Sequence, residues 1–256
     1  MNTLLSKAKI KYIHSLEIKK IRKEEQVFLA EGPKLVGDML GHFHCCLLAA
    51  TNSWLKQHSK VQCDEILEVN RTELSQISLL KAPQEVLAVF RQPTDSGINV
   101  ANIRQSLSLA LDDVQDPGNL GTIIRLADWF GIEHIFCSPN TVDVYSPKTV
   151  QATMGALARV KVHYTPLPEF IRSLGDLPVF GTFLDGENIY GQSLPAGGLI
   201  VMGNEGNGIG EEVESCINHR LYIPNYPEGT KTSESLNVAI ATAIVCAEFR
   251  RRSTSK

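Results

Sequence analysis

The sequence lacks the long apolar segments that place a protein in a membrane. Among its 256 residues no apolar run approaches the roughly 20 residues that a membrane-spanning helix requires. The opening segment MNTLLSKAKIKYIHSLEIKK also lacks the uninterrupted apolar core of a secretory signal peptide. We therefore expect a cytoplasmic protein that makes no membrane contact.

Cysteine is scarce, and its spacing matches no familiar framework. The six cysteines form no C-x-x-C pair and no pattern typical of disulfides, which fits a reducing compartment. The segment HFHCC at 42–46 concentrates metal-binding side chains, but no second ligand pair accompanies it. Its strand-like setting favours packed core residues over a metal site, so we predict no metal.

The common nucleotide and hydrolase motifs are also absent. The GNEGNG segment at 203–208 does not have the G-x-G-x-x-G spacing of a dinucleotide fold, and it lies near the end of its domain. In GTKTSES, at 229–235, a threonine separates the glycine and lysine that a P-loop places together. Neither a nucleophile elbow nor an H-E-x-x-H pair occurs. A dinucleotide-dependent reductase thus becomes the weakest alternative.

The net charge of −3 does not indicate a nucleic-acid partner, but the basic residues are unevenly distributed. Residues 1–23 contain one acid, Glu17, among many basic side chains. These are Lys7, Lys9, Lys11, Lys19, Lys20, Arg22 and Lys23. Such a segment is compatible with phosphate contact, and equally with an amphipathic helix whose charged face is solvated.

The hydrophobic pattern predicts an α/β protein with two domains. Residues 1–95 read as a small domain that opens with a helix over 4–24, has a second helix from Pro33, and then alternates strands with helices. Polar and turn-forming residues at 96–106 indicate a linker. Residues 107–256 again alternate strands with helices, which predicts a mostly parallel sheet.

Three unusual loops follow strands of the second domain, at 114–121, 203–210 and 224–235. Ligands of parallel sheets bind beyond the carboxyl ends of the strands, so we expect these loops to meet there. The loop after the apolar strand LIVM holds four glycines and one acid, Glu205. Two interpretations stay open: a tight turn between strand and helix, or a ligand held against bare main chain.

Three segments together carry a family resemblance. DPGNLGTIIRLADWFGI at 116–132, LIVMGNEGNGI at 199–209 and LYIPNYPEGTKTSESLNVAIATAI at 221–244 resemble, in order and spacing, the motifs of the SpoU/TrmH-type RNA 2′-O-ribose methyltransferases. Residues 11–40 also resemble the L30e-like RNA-binding domain that precedes the catalytic domain in many members. Asp116, where many members have Asn, and the long polar loop before Ser235 depart from the pattern.

The resemblance implies a fold, a cofactor and an assembly. The C-terminal domain would be a parallel-sheet SPOUT domain with a trefoil knot, although knots are rare in general. It would bind S-adenosylmethionine in a bent conformation, largely through backbone, and would pair with a second copy to form a homodimer. A sulfonium methyl is already activated, so this chemistry needs no metal.

The resemblance also implies roles for individual residues. The matching catalytic positions are Arg125, Asn119, Glu205, Ser235 and Asn237. Those matching the cofactor pocket are Thr182, Gly203, Asn204, Gly208, Ile223 and Leu236. Purely structural roles stay open beside these, because Asn119 suits a helix cap, Ser235 and Asn237 open the last predicted helix, and a loop acid is often only solvated.

The implied substrate is RNA, since the 2′-hydroxyl distinguishes RNA from DNA. The L30e-like domain, without the short flanking helices of the tRNA enzymes, favours ribosomal RNA over tRNA. A non-catalytic RNA-binding factor with the same fold is the alternative from another class. The matching set Arg125, Glu205, Ser235 and Asn237 argues against it.

Overall fold

The computed structural model describes residues 5–94, 103, 104, 106–227, 230, 233 and 235–253. Its helices and strands, in chain order, are α1 (Lys7–Ser15), α2 (Lys19–Glu25), β1 (Val27–Glu31), α3 (Pro33–Met39), β2 (Cys45–Ala50), α4 (Asn52–Gln57), β3 (Glu65–Glu68), α5 (Arg71–Ile77), β4 (Val86–Arg91), β5 (Leu107–Leu111), α6 (Pro117–Trp129), β6 (His134–Cys137), α7 (Pro147–Thr153), β7 (Lys161–Tyr164), α8 (Leu167–Ser173), β8 (Val179–Asn188), β9 (Gly198–Met202), α9 (Glu211–Glu214), β10 (His219–Tyr222) and α10 (Val238–Ser253).

The contacts divide the chain into two compact units. The first contains residues up to Ser96 together with Asp143–Ala158, and the second contains Gly97–Val142 and Arg159–Lys256. The predicted linker at 96–106 lies mostly outside the described residues, so its bounds stay a prediction. No local pattern in the sequence indicates that Asp143–Ala158, which includes α7, belongs with the first unit.

The first unit is built on a four-stranded mixed sheet in the order β1-β4-β2-β3. Strands β1 and β2 run antiparallel to β4, whereas β3 runs parallel to β2. Strand β1 is missing from the sequence-based prediction, because all five of its residues are buried and no polar alternation marks it. Its Glu31 carboxylate is buried but satisfied, since it accepts hydrogen bonds from Ser78 Oγ and the Leu79 amide.

The single helix predicted over 4–24 is wrong, because α1 ends at Ser15 and α2 begins at Lys19. The Arg22 guanidinium donates to the carbonyl oxygens of Leu16 at 2.7 Å and Glu17 at 2.8 Å. These carbonyls would bond within the helix if the helix were continuous. The break between α1 and α2 therefore depends on the Arg22 side chain. Hydrophobic periodicity does not reveal which groups that side chain contacts.

Arg22 is also buried, so it does not belong with the basic residues of the N-terminal segment that are available for phosphate contact. The Arg22 guanidinium is 2.5 Å from the carboxylate of Asp143, the first residue of the Asp143–Ala158 segment. Only 3% of the Arg22 side chain is exposed. Removing one partner of a buried ion pair costs about 3–5 kcal/mol, because the other charge is left uncompensated. Arg22 therefore holds the first unit together and is not available to an RNA phosphate.

The second unit contains six parallel strands in the order β10-β8-β9-β5-β6-β7, which confirms the predicted parallel sheet. Strands β5 and β9 are buried along their whole length, as expected for central strands covered on both faces. Aromatic packing continues the core, with Phe136 of β6 stacked on Phe170 of α8 at 4.2 Å. Across the described residues, no helix combines the length and apolarity that crossing a bilayer demands.

The chain reverses direction across the sheet between β5 and β9. Strand β5 continues through α6 to β6 on one side, whereas β9 continues through α9 to β10 on the other. The carboxyl ends of both strands are tied together, since the Asp112 amide donates to the Met202 carbonyl at 2.9 Å. Such a switch point leaves a crevice in which parallel α/β proteins bind ligands.

Candidate active site

The loop that follows β9 closes on itself through Asn204. Its backbone exchanges two hydrogen bonds with Gly208, each 2.9 Å long. Its side-chain oxygen accepts from the Gly206 amide at 2.8 Å, and its side-chain nitrogen donates to the Asp113 carbonyl at 2.8 Å. The Asn204 side chain, predicted to contact a cofactor, therefore fixes the shape of the loop.

Two glycines of this loop meet different requirements. A Cβ at Gly203 would overlap the backbone of Gly208, so the loop can close only around a residue without a side chain. Gly208 adopts φ +70°, a conformation that favours glycine, and a Cβ there would meet no atom within 4 Å. The interpretation as a tight turn is therefore confirmed, whereas a ligand held against the bare main chain stays a prediction that the open space at Gly208 permits.

That open space is a cavity of about 550 Å³, within the range of about 300–1,000 Å³ typical of small-molecule sites. All six residues predicted to bind a cofactor line it, together with two of the predicted catalytic residues: Thr182, Gly203, Asn204, Gly208, Ile223 and Leu236, with Glu205 and Ser235. Sequence reasoning missed further lining residues, among them Phe183, Met202, Ile209, Glu214, Tyr222 and Ala241. Of these, only Met202 and Ile209 could have been predicted from the sequence, because they flank the glycine loop.

Three predicted catalytic residues form one hydrogen-bonded chain. Asn119 donates its side-chain NH₂ to the carboxylate of Glu205, and its carbonyl oxygen accepts from Asn237 Nδ2 at 3.0 Å. The loops at 114–121 and 203–210 thus meet, and Ser235, the last residue of the third loop, lines the same cavity as Glu205. The alternative that Asn119 caps α6 is wrong, because Asp116 is the cap and accepts from the Asn119 amide at 2.9 Å.

The last helix begins at Val238, so Ser235 lies before it and not in its first turn as predicted. Asn237 precedes it, and its side-chain oxygen accepts from the amides of Ala239 at 3.0 Å and Ile240 at 3.3 Å. Asn237 therefore caps the helix with its side-chain oxygen and donates to Asn119 with its side-chain nitrogen. Capping and the contact with Asn119 use different atoms and do not compete. Ser235 is exposed and faces the cavity.

Arg125 stands apart from this hydrogen-bonded chain. It lies nearly two turns beyond Asn119 on α6, and its side chain is exposed although Ile123 and Ile124 beside it are buried. Its guanidinium has no ion pair with any carboxylate that the described residues provide. An exposed guanidinium with five donors in a planar arrangement suits an external phosphate.

Asp112 is a buried acid at this rim, and no sequence motif singled it out. Its carboxylate accepts from the Gly210 amide at 2.8 Å, so it holds the far end of the glycine loop while the Asp113 carbonyl holds Asn204. Burial raises the pKa of Asp112, and the nearby charge of Asp113 raises it further, whereas the Gly210 hydrogen bond lowers it. The sequence could have indicated Asp112, because it is an acid that directly follows an apolar strand.

This combination defines a class of protein. An all-parallel α/β sheet whose switch point carries a cavity lined by glycine-rich backbone is typical of enzymes that bind a nucleoside-containing cofactor. Residues 106–247 match the model described as the SpoU rRNA Methylase family, and residues 7–88 match the MRM3-like substrate binding domain. The first match spans more than half of the chain, which therefore belongs to the SpoU rRNA methylase family.

Individual relatives agree with this assignment. The chain is 30% identical over 251 residues to the 23S rRNA (guanosine(2553)-2′-O)-methyltransferase RlmP of Bacillus subtilis, covering 94% of this chain and 96% of that protein. It superposes with a TM-score of 0.88 on a TrmH-family structure from Porphyromonas gingivalis, at 44% identity and with 98% and 100% of the two chains covered. An AdoMet-bound rRNA methyltransferase from Sinorhizobium meliloti gives 0.86 at 32% identity, with 99% of each chain covered.

Proposed function

We propose that this protein transfers the methyl group of S-adenosylmethionine to a ribose 2′-hydroxyl of ribosomal RNA. The observation that carries the proposal is the cavity at the β5–β9 switch point, whose glycine loop is joined through Glu205 to Asn119 and Asn237. The named activity of the Bacillus subtilis relative supports ribosomal RNA as the substrate. A tRNA substrate, the alternative within the family, is less favoured for the same reason.

The residues of the cavity fit the cofactor. Bare main chain at Gly208 admits a ligand without steric conflict, and Met202, Ile209 and Leu236 offer apolar contact. Glu205 and Glu214 line the same space; the Glu214 carboxylate pairs with Arg220, which leaves Glu205 to complement a cationic sulfonium. When bound, the cofactor supplies an activated methyl group, so the protein has only to orient the reactants and manage one proton.

We assign the hydrogen-bonded chain to orientation and Arg125 to the RNA. Asn119 and Asn237 fix the Glu205 carboxylate beside the cavity, and Ser235 faces the cavity from the segment before α10. Arg125 would hold the target phosphate, and its positive charge would favour negative charge developing on the 2′-oxygen as the hydroxyl proton is lost to water. Aligning two bound reactants lowers a barrier by roughly 7–11 kcal/mol when their geometry is near attack.

We further propose that the first unit binds RNA through its exposed lysines. Lys7, Lys11, Lys19 and Lys23 are exposed, whereas Lys9 is paired with Glu65. Exposed lysines position an RNA backbone by phosphate contact and carry no base specificity. The match of residues 7–88 to a substrate binding domain supports this role.

The proposal includes a cytoplasmic homodimer formed through a knotted second unit. Several large apolar side chains of that unit are exposed, among them Trp129 by 84%, Leu236 by 46% and Ile240 by 54%. Trp129 and Ile240 lie on α6 and α10, which pack against each other, and contiguous exposed apolar surface often marks an interface. Ile240→Glu should therefore lower the mass measured by sedimentation, whereas Ile18→Glu, at an isoleucine of the first unit exposed to a similar degree, serves as the matched control. An unchanged mass for Ile240→Glu contradicts this interface.

The function is tested by mapping 2′-O-methylation across cellular RNA with and without the protein. Loss of one ribosomal 2′-O-methyl group is expected, restored by the wild-type gene and not by Arg125→Lys. Calorimetry with S-adenosylmethionine gives an independent measurement, because a purely RNA-binding protein of this fold need not bind the cofactor. An unchanged methylation map together with no binding heat contradicts the proposal.

A further inference from the structure

A second cluster of chemically active side chains lies in the first unit, within the HFHCC segment. One ligand-type atom from each of His44, Cys46 and Asp64 lies within 4.8 Å of the other two. His44 Nε2 is 2.7 Å from Asp64 Oδ2, and both side chains are 57% exposed. The expectation that this segment consists of packed core residues is therefore wrong for His44, and it holds for Cys45, which is buried.

The backbone brings these three residues together from two strands. Parallel pairing places Leu47 of β2 beside Glu65 of β3, so the residues just before them, Cys46 and Asp64, are neighbours as well. The Asp64 amide secures this end by donating to the Cys45 carbonyl at 3.1 Å. The register between β2 and β4 shifts between Cys45 and Leu47, which marks a bulge at Cys46. Bulges re-aim side chains and occur often beside functional sites.

The two remaining thiols of this region are directed elsewhere. Cys45 is buried and its thiol points to the Leu47 carbonyl at 3.7 Å, whereas Cys63 donates to the Glu65 carbonyl at 3.1 Å. The Cys46 thiol instead points back to the His44 carbonyl, at 4.0 Å. Of the three thiols, only that of Cys46 lies within 4.8 Å of the ligand atoms of both His44 and Asp64.

We propose that His44, Cys46 and Asp64 form a zinc(II) site with a fourth position open to water. One thiolate sulfur, one imidazole nitrogen and one carboxylate oxygen are the ligand types that zinc takes in proteins. Bonds of about 2.0–2.3 Å in a tetrahedron separate ligand atoms by about 3.3–3.8 Å. The cluster needs only a small opening of the His44–Asp64 pair to reach this spacing, and both side chains are exposed enough to rotate.

The charges of the site balance. A thiolate and a carboxylate together neutralise the metal ion, and the imidazole binds as a neutral ligand. Zinc binds the thiolate form of cysteine, so metal binding would release the Cys46 thiol proton to water. The bound ion would tie the chain before β3 to the start of β2.

The site is tested on the full-length protein with cobalt(II), which replaces zinc in tetrahedral sites and reports thiolate ligation by a charge-transfer absorption band. One equivalent of cobalt should produce this band, and zinc should abolish it by displacement. Cys46→Ser should remove the band. His44→Gln and Asp64→Asn, both at exposed positions, should weaken zinc binding at least about tenfold, since loss of an outer-shell partner alone costs 10–100-fold.

Two matched thiol variants serve as controls. Cys63→Ser removes the neighbouring thiol and Cys216→Ser removes a half-buried thiol of the second unit, and both should keep the band. Circular dichroism establishes that each variant is folded. Absence of the band in the wild type, or its persistence in Cys46→Ser, overturns the proposal. Equal affinity in wild type and His44→Gln would reduce the cluster to a surface hydrogen bond between His44 and Asp64.

Discussion

The side chain of Asn119, in the first turn of α6, donates a hydrogen bond to the carboxylate of Glu205, 86 positions later in the glycine loop. The same Asn119 amide accepts from Asn237 at the start of α10. One amide therefore connects the loops that follow β5 and β9 with the segment before the last helix. A carboxylate cannot replace it, because Glu205 requires a donor and Asn237 requires an acceptor.

Asn119→Asp should accordingly lower methyl transfer by about tenfold or more, the effect of losing one hydrogen bond to a charged group. The substitution preserves size but places two carboxylates face to face. Affinity for S-adenosylmethionine should change little, because Asn119 does not line the cavity. Single-turnover assays and calorimetry measure the two quantities separately. Asn140→Asp, on an exposed loop, is the control, and full activity of Asn119→Asp would refute the orienting role.

The glycine loop offers a matched pair of substitutions. Gly203→Ala should abolish cofactor binding, because the new methyl group would overlap the Gly208 backbone and open the loop. Gly206→Ala should be tolerated, since its Cβ would lie 3.4 Å from Asn204 Oδ1, an ordinary contact. Calorimetry with S-adenosylmethionine compares them. Equal binding by both variants would mean that the closed form of the loop is not the form that binds.

Much of this architecture was predictable because local patterns encode it. The buried run LIVM followed by glycines indicated a central strand and a close-packed turn, and both are present. Pro33 marked a helix start correctly, since proline suits the first helical turn. Features that depend on one element alone were thus recoverable from the sequence.

Features that depend on distant partners were not predictable. The break between α1 and α2 follows from Arg22 reaching the Leu16 carbonyl and Asp143, a residue 121 positions away. No hydrophobic period encodes such a contact. The Asn237 side chain likewise joins a helix cap to Asn119 from 118 positions away, and neither the predicted helix start nor the family resemblance indicated this contact.

Arg125→Lys should lose most turnover while leaving cofactor affinity nearly intact. Lysine keeps the positive charge but loses the planar, bidentate donors that match a phosphate. Steady-state methylation of ribosomal RNA and calorimetry with S-adenosylmethionine measure the two effects. Arg172→Lys, at an exposed position on α8, is the matched control. Wild-type turnover in Arg125→Lys would remove this residue from the reaction.

The buried Asp112 carboxyl should make the stability of the folded protein depend on pH, and Asp112→Asn should abolish this dependence. Burial raises its pKa in the folded state above the unfolded value of about 3.9, so the folded protein holds this proton more tightly. The stabilisation is complete below the unfolded pKa and is lost as the pH rises through the folded pKa.

The amide introduced by Asp112→Asn does not titrate, yet its oxygen can still accept from Gly210. The melting temperature of Asp112→Asn should therefore rise relative to wild type from about pH 4 toward neutrality, then level off. Glu212→Gln, at an exposed position, should show no such trend, and a pH-independent difference for Asp112→Asn would contradict the buried, proton-retaining carboxyl.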